Sequence, residues 1–311
     1  MKLNTDPTVV RSQYETDENL TIRQRIHEQY TSPKIDFVEW ALERVRWRGD
    51  EKVLDLGCGR GTYYDKINSL LPDVSYIGLD LFIGMLEHHP AKERTLNSDA
   101  HWLPFASGSF DVVMANHMLY HVPNIDHAIS EVKRILKPNG VFLATTNSNF
   151  TMPEIAALMQ KATSLINRNV DENWGYDEIQ KPFSLENAGP QIARHFYSVV
   201  RHDSPSALIF KNPEPLIAYI QSLRSLREKL LPPKVDWDDM ITLVYQLSER
   251  VIDHLGELQI NKLAGALVAT DNSDFIQEYV ALKNKLNPPP QPKPSIKPLQ
   301  RKIKPLKKRG K

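Results

Sequence analysis

Cysteine is nearly absent from this sequence, since Cys58 is the single one among 311 residues. One thiol excludes both an intramolecular disulfide framework and a zinc site built from several cysteines, so a reducing cytoplasm is the expected location. Long apolar runs are absent too: no stretch approaches the roughly 18 consecutive apolar residues that a spanning helix needs. The opening residues also lack the apolar core of a signal peptide. These absences predict a cytoplasmic protein without a membrane span.

Acidic residues are missing from the end of the chain. Residues 288–311 contain nine Lys or Arg, seven Pro and no acid, which leaves 30 basic and 38 acidic residues in 1–287. Proline disfavours helix and sheet, and the like charges repel, so we predict a disordered tail. The tail offers a surface to nucleic acid. The net charge of −8 on residues 1–287 nevertheless disfavours a nucleic-acid enzyme.

The middle of the chain alternates short apolar runs with segments of helical period, which is typical of a parallel sheet wrapped by helices. Strands are predicted at 53–56, 75–79, 110–115 and 141–145, with a weaker one near 93–96. The last two strong strands enclose a helix whose apolar face runs from 125 to 136. We expect the turn residues at 137–140 to stop that helix.

The flanking segments complete the prediction. Helical spacing recurs at 19–48, 153–167, 214–231 and 237–255, and later strands are predicted at 196–201 and 263–270. We therefore divide the chain into four segments: a helical preamble at 1–50, a core at 51–147, sheet completion with a helical cap at 148–287, and the basic tail at 288–311.

Three glycines follow the first predicted strand of the core. Gly57, Gly59 and Gly61 stand between a strand and a helix, where they allow a tight turn and close approach of a ligand to the backbone. The third glycine comes one position earlier than in the dinucleotide pattern G-x-G-x-x-G, which disfavours NAD or FAD. A glycine turn that is packed for its own sake is the alternative.

Polar residues close three more strands. Asp80 lies 23 residues after Gly57, where a carboxylate is placed to accept hydrogen bonds from both ribose hydroxyls of a nucleoside. Asp99 follows the weak strand, where it is placed to meet an adenine amino group, and Asn116 closes strand 110–115. Open α/β sheets bind ligands at the carboxyl ends of their strands. We therefore predict a nucleoside-binding site at this edge.

Together these motifs resemble those of class I S-adenosylmethionine-dependent methyltransferases of the type 11 or UbiE-like kind. The resemblance covers roughly 51–147 and rests on VLDLGCGRG at 53–61, YIGLD at 76–80, LPF at 103–105 with SFDVV at 109–113, and EVKRILKPNG at 131–140. It implies an α/β fold with a Rossmann-like, doubly wound, seven-stranded sheet, mostly parallel with an antiparallel last strand, plus a helical cap insert.

The resemblance also implies S-adenosylmethionine as the cofactor. It implies contacts with the methionine part for the three glycines, with the ribose for Asp80, and with the adenine for Asp99 and Ala100. Asn116 is implied to border the cofactor. The complete predicted cofactor site is Asp55, Gly57, Cys58, Gly59, Gly61, Asp80, Leu81, Asp99, Ala100 and Asn116.

One cysteine and two histidines near this site could carry chemistry of their own. Cys58 lies between glycines with no histidine nearby in sequence, so we predict a packed small residue instead of a nucleophile. His117 and His121 have i, i+4 spacing, but no Glu follows His117 as in H-E-x-x-H and no third ligand is evident, so no metal site is predicted. The predicted catalytic residue is His121, as a general base in the loop after strand 110–115. A loop-shaping histidine is the alternative.

The predicted function is methyl transfer to an O or N atom of a small-molecule acceptor, a metabolite or quinone-like compound held by the helical cap. Two alternatives stay open. One is an RNA or protein methyltransferase that uses the basic tail, and the other is a non-catalytic module that binds S-adenosylmethionine.

Overall fold

One mixed sheet runs through the part of the molecule that the structure describes. The structure is a computed structural model, and it describes residues 17–168 and 181–272. Within these ranges the strands are β1 (Thr31–Ser32), β2 (Lys52–Leu56), β3 (Ser75–Asp80), β4 (Thr95–Asn97), β5 (Phe110–Asn116), β6 (Leu136–Asn147), β7 (Ser198–Phe210) and β8 (Leu258–Thr270). Their order in the sheet is β1-β7-β8-β6-β5-β2-β3-β4.

The sheet has a parallel half and an antiparallel half. β2 pairs in parallel with β3 and β5, and β4 and β6 extend this set. β8 pairs antiparallel with β6 and β7, and β1 pairs antiparallel with β7. The predicted Rossmann-like sheet with an antiparallel last strand is confirmed. The predicted count of seven strands is corrected to eight in the described residues, because β1 has only 2 residues and shows no period in the sequence.

Helices cover both faces of the sheet. They are α1 (Asp17–Tyr30), α2 (Phe37–Leu42), α3 (Tyr64–Leu70), α4 (Ile83–Leu86), α5 (Ile125–Ile135), α6 (Pro153–Ile166), α7 (Ala188–Ile192), α8 (Glu214–Gln221), α9 (Arg224–Arg227) and α10 (Trp237–Leu255). Alternate residues of one strand face opposite layers. Leu54 and Val113 pack with α5 and α7, whereas Val53 and Val112 pack with α2 and α3.

Two predicted boundaries are corrected. The preamble is not one helical stretch, because α1 ends at Tyr30, β1 follows, and Pro33, which has no backbone N–H, separates it from α2. The helix before β6 ends at Ile135 instead of at 137–140. Leu136 already pairs with Phe110, so those turn residues lie inside β6.

A helical cap stands on the far halves of β7 and β8. We define it as α1, α6, α8 and α10, which share a second apolar core with the outer parts of both strands. Trp237 is buried at the start of α10, where the Asp236 side chain accepts hydrogen bonds from the amides of Asp238 and Asp239 at 2.8 and 3.2 Å. Both strands are longer than predicted, each having 13 residues paired in one continuous register.

No helix in the described ranges combines the length and the apolar content that crossing a membrane requires. The predicted tail at 288–311 lies outside the described residues, and the four-segment division of the chain stays a prediction.

We predict that a side chain at Gly265 in β8 would destabilise the antiparallel half of the sheet. A Cβ atom there would collide with the carbonyl oxygen of His202 and lie 3.0 Å from Leu185 Cδ2. We expect Gly265→Ala to lower the free energy of unfolding by about 1–3 kcal/mol, the cost of overpacking, as measured by urea denaturation. The control is Gly189→Ala in α7, where a Cβ meets nothing within 4 Å. An equal loss in both variants, or none in Gly265→Ala, would contradict this account.

Candidate active site

A cavity of about 1510 Å³ opens at the carboxyl edge of the parallel strands. Nearly all of the predicted site residues line it: Asp55, Gly57, Cys58, Gly59, Asp80, Leu81, Asp99, Ala100, Asn116 and His121. Gly61 belongs to the same loop but lies outside this lining, where its missing side chain leaves room for His89 and Pro90. We call the part of the cavity beside Gly57 and Asp80 the loop end.

The glycine loop crosses from β2 to α3 directly beneath a neighbouring loop. Gly57 has a φ of +71°, and a Cβ there would lie 2.8 Å from the side chain of Met118. A larger residue would therefore strain the backbone and clash with the loop that follows β5. The amides of Gly57 and Cys58 both donate to the carbonyl oxygen of Leu79, at 2.7 and 3.0 Å, which ties the loop to β3.

Asp80 joins the end of β3 to the glycine loop. One carboxylate oxygen accepts from the Gly59 amide at 2.9 Å, and the other accepts from the Phe82 amide at 2.9 Å. Burial raises the pKa of Asp80, and these amides oppose that rise. Each carboxylate oxygen has further lone pairs, so Asp80 can also accept from a ligand in the cavity.

Asp55 lies at the base of the loop end in a buried network that the sequence did not indicate. The Tyr76 hydroxyl donates to Asp55 Oδ2 at 3.0 Å, and His89 Nε2 lies 3.2 Å from the same hydroxyl. Because His89 Nδ1 accepts from the Ala91 amide at 3.0 Å, Nε2 carries the proton and donates to Tyr76. Burial raises the pKa of Asp55 to about 7, against the effect of this hydrogen bond.

Asp55 and Asn116 both line the cavity, and their side chains interact. The hydrogen bonds from Tyr76 and Asn116 oppose the rise that burial causes in the pKa of Asp55. The two residues therefore belong to one buried polar network at the base of the loop end.

Asp99 is held in place by the histidine two residues later. Its Oδ1 accepts from the His101 amide at 2.8 Å and from His101 Nδ1 at 2.6 Å. His101 Nε2 in turn accepts from the Asn124 amide at 3.2 Å, which assigns the ring proton to Nδ1. The carboxylate is thereby oriented at the cavity wall without being buried.

The loop after β5 brings two histidines to the cavity. His121 ends a short 3₁₀ turn, Leu119–His121, and its ring lies 4.5 Å from that of Tyr120. His117 has a φ of +52°, which is rare outside glycine, and its ring lies 5.4 Å from Phe37. Burial and the charge of Lys181 lower the pKa of His117 to about 4, so this ring is neutral at pH 7.

The other end of the cavity lies between the cap and the outer halves of β7 and β8, and we call it the cap end. The sequence assigned none of its polar and aromatic lining residues to a site, and it predicted only packing for Tyr219. These residues are Arg23, His27, Thr31, Ser204, Ser206, Tyr219, Arg227 and Lys262. The nearest signal was the polar residues at 202–206 and at 259, 261 and 262, which adjoin the apolar runs of the predicted strands.

The surroundings of Cys58 and of the nearby histidines indicate neither a nucleophile nor a metal site in the described residues. Cys58 is buried, with its sulfur beneath Gly78, and burial raises the pKa of its thiol. This agrees with the prediction of a packed residue. Within 17–168 and 181–272, no three His, Cys, Asp or Glu side chains form a group that could hold a metal ion.

His27 makes the stability of this site depend on pH. Burial, followed by the charges of Lys262 and Arg23, lowers its pKa from 6.5 to about 4. The unfolded chain binds a proton at His27 more tightly than the folded chain does. The stability that the neutral His27 ring contributes is therefore fully present above pH 6.5 and is lost as the pH falls through 4. Between these values we expect the wild type to lose on the order of 2–3 kcal/mol of unfolding free energy more than His27→Gln does.

Urea denaturation from pH 4 to 7 measures this difference. Subtracting the two profiles removes the opposing contribution of Asp55, whose raised pKa favours folding at low pH. The control is His254→Gln at the exposed end of α10. Parallel profiles for wild type and His27→Gln would contradict the assignment.

Known proteins resemble this chain mainly over the segment that carries the loop end. Residues 54–144 match a family model described as a methyltransferase domain. The chain is similar to a malonyl-[acyl-carrier protein] O-methyltransferase from Legionella pneumophila, 29% identical over 156 residues, covering 48% of this chain and 51% of that protein. It is also similar to a demethylmenaquinone methyltransferase from Lactococcus lactis, 33% identical over 143 residues, covering 42% of this chain and 55% of that protein. The chain spans about half the length of these curated relatives.

Among solved structures, the chain resembles a phosphoethanolamine N-methyltransferase 2 from Haemonchus contortus. The TM-score is 0.50 at 18% identity, covering 84% of this chain and 59% of that one, and the similarity concerns the fold alone. Most of the residues of the loop end fall inside the matched region 54–144, as do His117 and His121. The chain therefore carries a class I S-adenosylmethionine-dependent methyltransferase domain at residues 54–144.

Proposed function

We propose that this protein transfers the methyl group of S-adenosylmethionine to an O or N atom of a small-molecule acceptor bound in the cavity. The observation that carries the proposal is the continuity of the cavity from the loop end to the cap end. Its volume of about 1510 Å³ exceeds the roughly 300–1,000 Å³ of common ligand sites. There is room for a cofactor and a second small molecule side by side.

The loop end fits the cofactor through the chemistry of its donor set. Asp80 would hold the ribose hydroxyls and Asp99 the adenine amino group, and both side chains line the cavity. When bound, S-adenosylmethionine supplies a methyl group that is already activated by its positively charged sulfur. The protein therefore needs no strong catalytic group of its own.

The residues of this chain then have two tasks. They must hold the acceptor in line, within about 3–3.5 Å of the reacting carbon, and they must exclude water. The cap supplies both, since Met152, Ile155 and Tyr219 line the cavity and pack in the cap core. One relative is named for a malonyl group on an acyl-carrier protein and the other for demethylmenaquinone, and the second name supports a small-molecule acceptor.

A hydroxyl acceptor also needs a place for its proton. His121 remains the proposed general base, because it lines the cavity in the loop after β5. His117 and His27 line the same cavity, but their lowered pKa values make both rings weak bases at pH 7, which leaves His121 as the proposed base. An amine that arrives neutral would need none of them at the moment of transfer.

Labelled cofactor tests the proposed reaction directly. When the full chain is incubated with methyl-labelled S-adenosylmethionine and a metabolite extract, we expect label in a small-molecule product. Asp80→Asn should weaken binding of S-adenosylhomocysteine by roughly 1.5–3 kcal/mol, the scale of a lost charge-assisted hydrogen bond, and should reduce labelling at low cofactor concentration.

The matched control is Asp73→Asn, at an exposed position just before β3. Calorimetry measures both affinities, and thermal unfolding checks that both variants are folded. Label that appears only in added RNA or protein would contradict a small-molecule acceptor. Cofactor binding with no transfer to any of the three would favour the non-catalytic module.

The second test concerns His121. If the acceptor atom is oxygen, His121→Ala should lower the turnover of the identified acceptor by about 10²–10⁴ with cofactor affinity retained, the range for a general base. The rate–pH profile of the wild type should rise through a histidine pKa, and the variant should lack this limb. His254→Ala is the control. Equal rates and matching profiles would make His121 a residue that shapes the loop.

A further inference from the structure

Charge is distributed unevenly along the cavity. Its loop end is lined by the carboxylates of Asp55, Asp80 and Asp99, with Arg60 as the cation beside them. The remainder of the wall, which includes the cap end, carries five cations and two acids: Arg23, Lys34, Lys181, Arg227 and Lys262, with Glu28 and Asp36. The acidic end suits a cofactor with a positive sulfur and ribose hydroxyls, and the other end suits a ligand of opposite charge.

Lys262 is the central cation of the cap end. Its Nζ donates to Thr31 Oγ1 at 3.0 Å, and within the described residues no carboxylate forms an ion pair with it. Burial, followed by repulsion from Lys34, lowers the pKa of Lys262 to about 8. A partly buried ammonium with another cation nearby is costly unless an anion approaches it.

The two acids of this region do not supply that anion. Asp36 is already engaged, since it pairs with Lys66 at 2.6 Å and accepts from the Glu39 amide at 3.1 Å. Glu28 is exposed on α1. Within the described residues, neither of these acids forms an ion pair with Lys262 or Arg23.

The groups of the cap end are held on rigid elements. Ser206 of β7 lies directly opposite Lys262 of β8 in the antiparallel register, and Ser204 lies opposite Ala264. Arg23 precedes His27 by one turn of α1, and its guanidinium donates to the carbonyl oxygen of Ser222 at 3.0 Å. Donors fixed before a ligand arrives lose little freedom on binding.

We propose that Lys262 and Arg23 bind an anionic group of the methyl acceptor, a carboxylate or a phosphate, at the cap end of the cavity. The Ser204 and Ser206 hydroxyls supply further hydrogen bonds to it. This proposal rests on the proposed function, because it assigns the cap end to the acceptor.

The sheet order says where this group lies on the acceptor. β8 is two strands away from β5, and strands are spaced by roughly 4.8 Å, so Lys262 stands roughly 10 Å across the sheet from the loop that carries His117 and His121. The anionic group therefore serves as a handle remote from the methylated atom. An elongated metabolite with an acid at one end fits this geometry.

Inorganic phosphate and glutarate are the probes. Each is titrated at constant ionic strength into the full chain saturated with S-adenosylhomocysteine, and the side-chain NMR signal of Lys262 is followed, assigned by its loss in Lys262→Met. We expect a saturable shift with one of the two anions. Lys262→Met should weaken that anion's affinity by about tenfold or more, equivalent to about 1.4 kcal/mol, as measured by calorimetry. Lys262→Arg should retain it within a few fold.

The matched control is Lys211→Met, an exposed lysine outside the cavity. Arg23→Gln is the second variant, with the same expected loss, for the case in which Lys262→Met does not fold. Response to phosphate or to glutarate tells a phosphate handle from a carboxylate. No saturable shift with either anion, or wild-type affinity in both cap-end variants, would overturn the proposal. S-adenosylhomocysteine affinity is measured separately, so a failure of the proposed function at the loop end is distinguishable from a failure here.

Discussion

Parallel pairing of β2 between β3 and β5 is the constraint on which the site depends. It places the carboxyl ends of three strands side by side, so the loops after Leu56, Asp80 and Asn116 must share one edge. Their contacts follow from this proximity. The Gly57 and Cys58 amides bond to Leu79, and Gly57 can carry no side chain because Met118 lies above it. The glycine loop is thus fixed by its two neighbours as well as by its own residues.

Buried polar groups keep this edge in one arrangement. Asp80 satisfies the Gly59 and Phe82 amides, and the chain from His89 through Tyr76 holds the carboxyl of Asp55 at the base of the loop end. Burying a carboxyl is costly unless it is paired, so each of these bonds offsets part of that cost.

The antiparallel half of the sheet has a different task. β6 ends at Asn147, which pairs with Ala264 of β8. β7 and β8 stay paired beyond this point, from Pro205 with Leu263 to Phe210 with Leu258. The cap helices close around this extension with their own apolar core. One cavity therefore has two kinds of wall: loops from the matched domain at one end, and strand faces and helices from outside it at the other. On the proposed function, variation of the second wall would change the acceptor without disturbing the cofactor.

Local information determined the first wall and tertiary packing decided the second. The glycine run, Asp80 and Asn116 could be found in the sequence because each lies at the end of a strand whose apolar run is visible, and Asp99 follows a weaker strand. Parallel strands bring their ends to one edge. Even there, Gly61 lies outside the cavity lining, and Tyr76 and His89 were missed because their partners are distant in the chain. Arg23, Ser206 and Lys262 lie up to 239 positions apart. Only the register of β7 with β8 and the docking of α1 bring them together, and no local pattern encodes a pairing of that range.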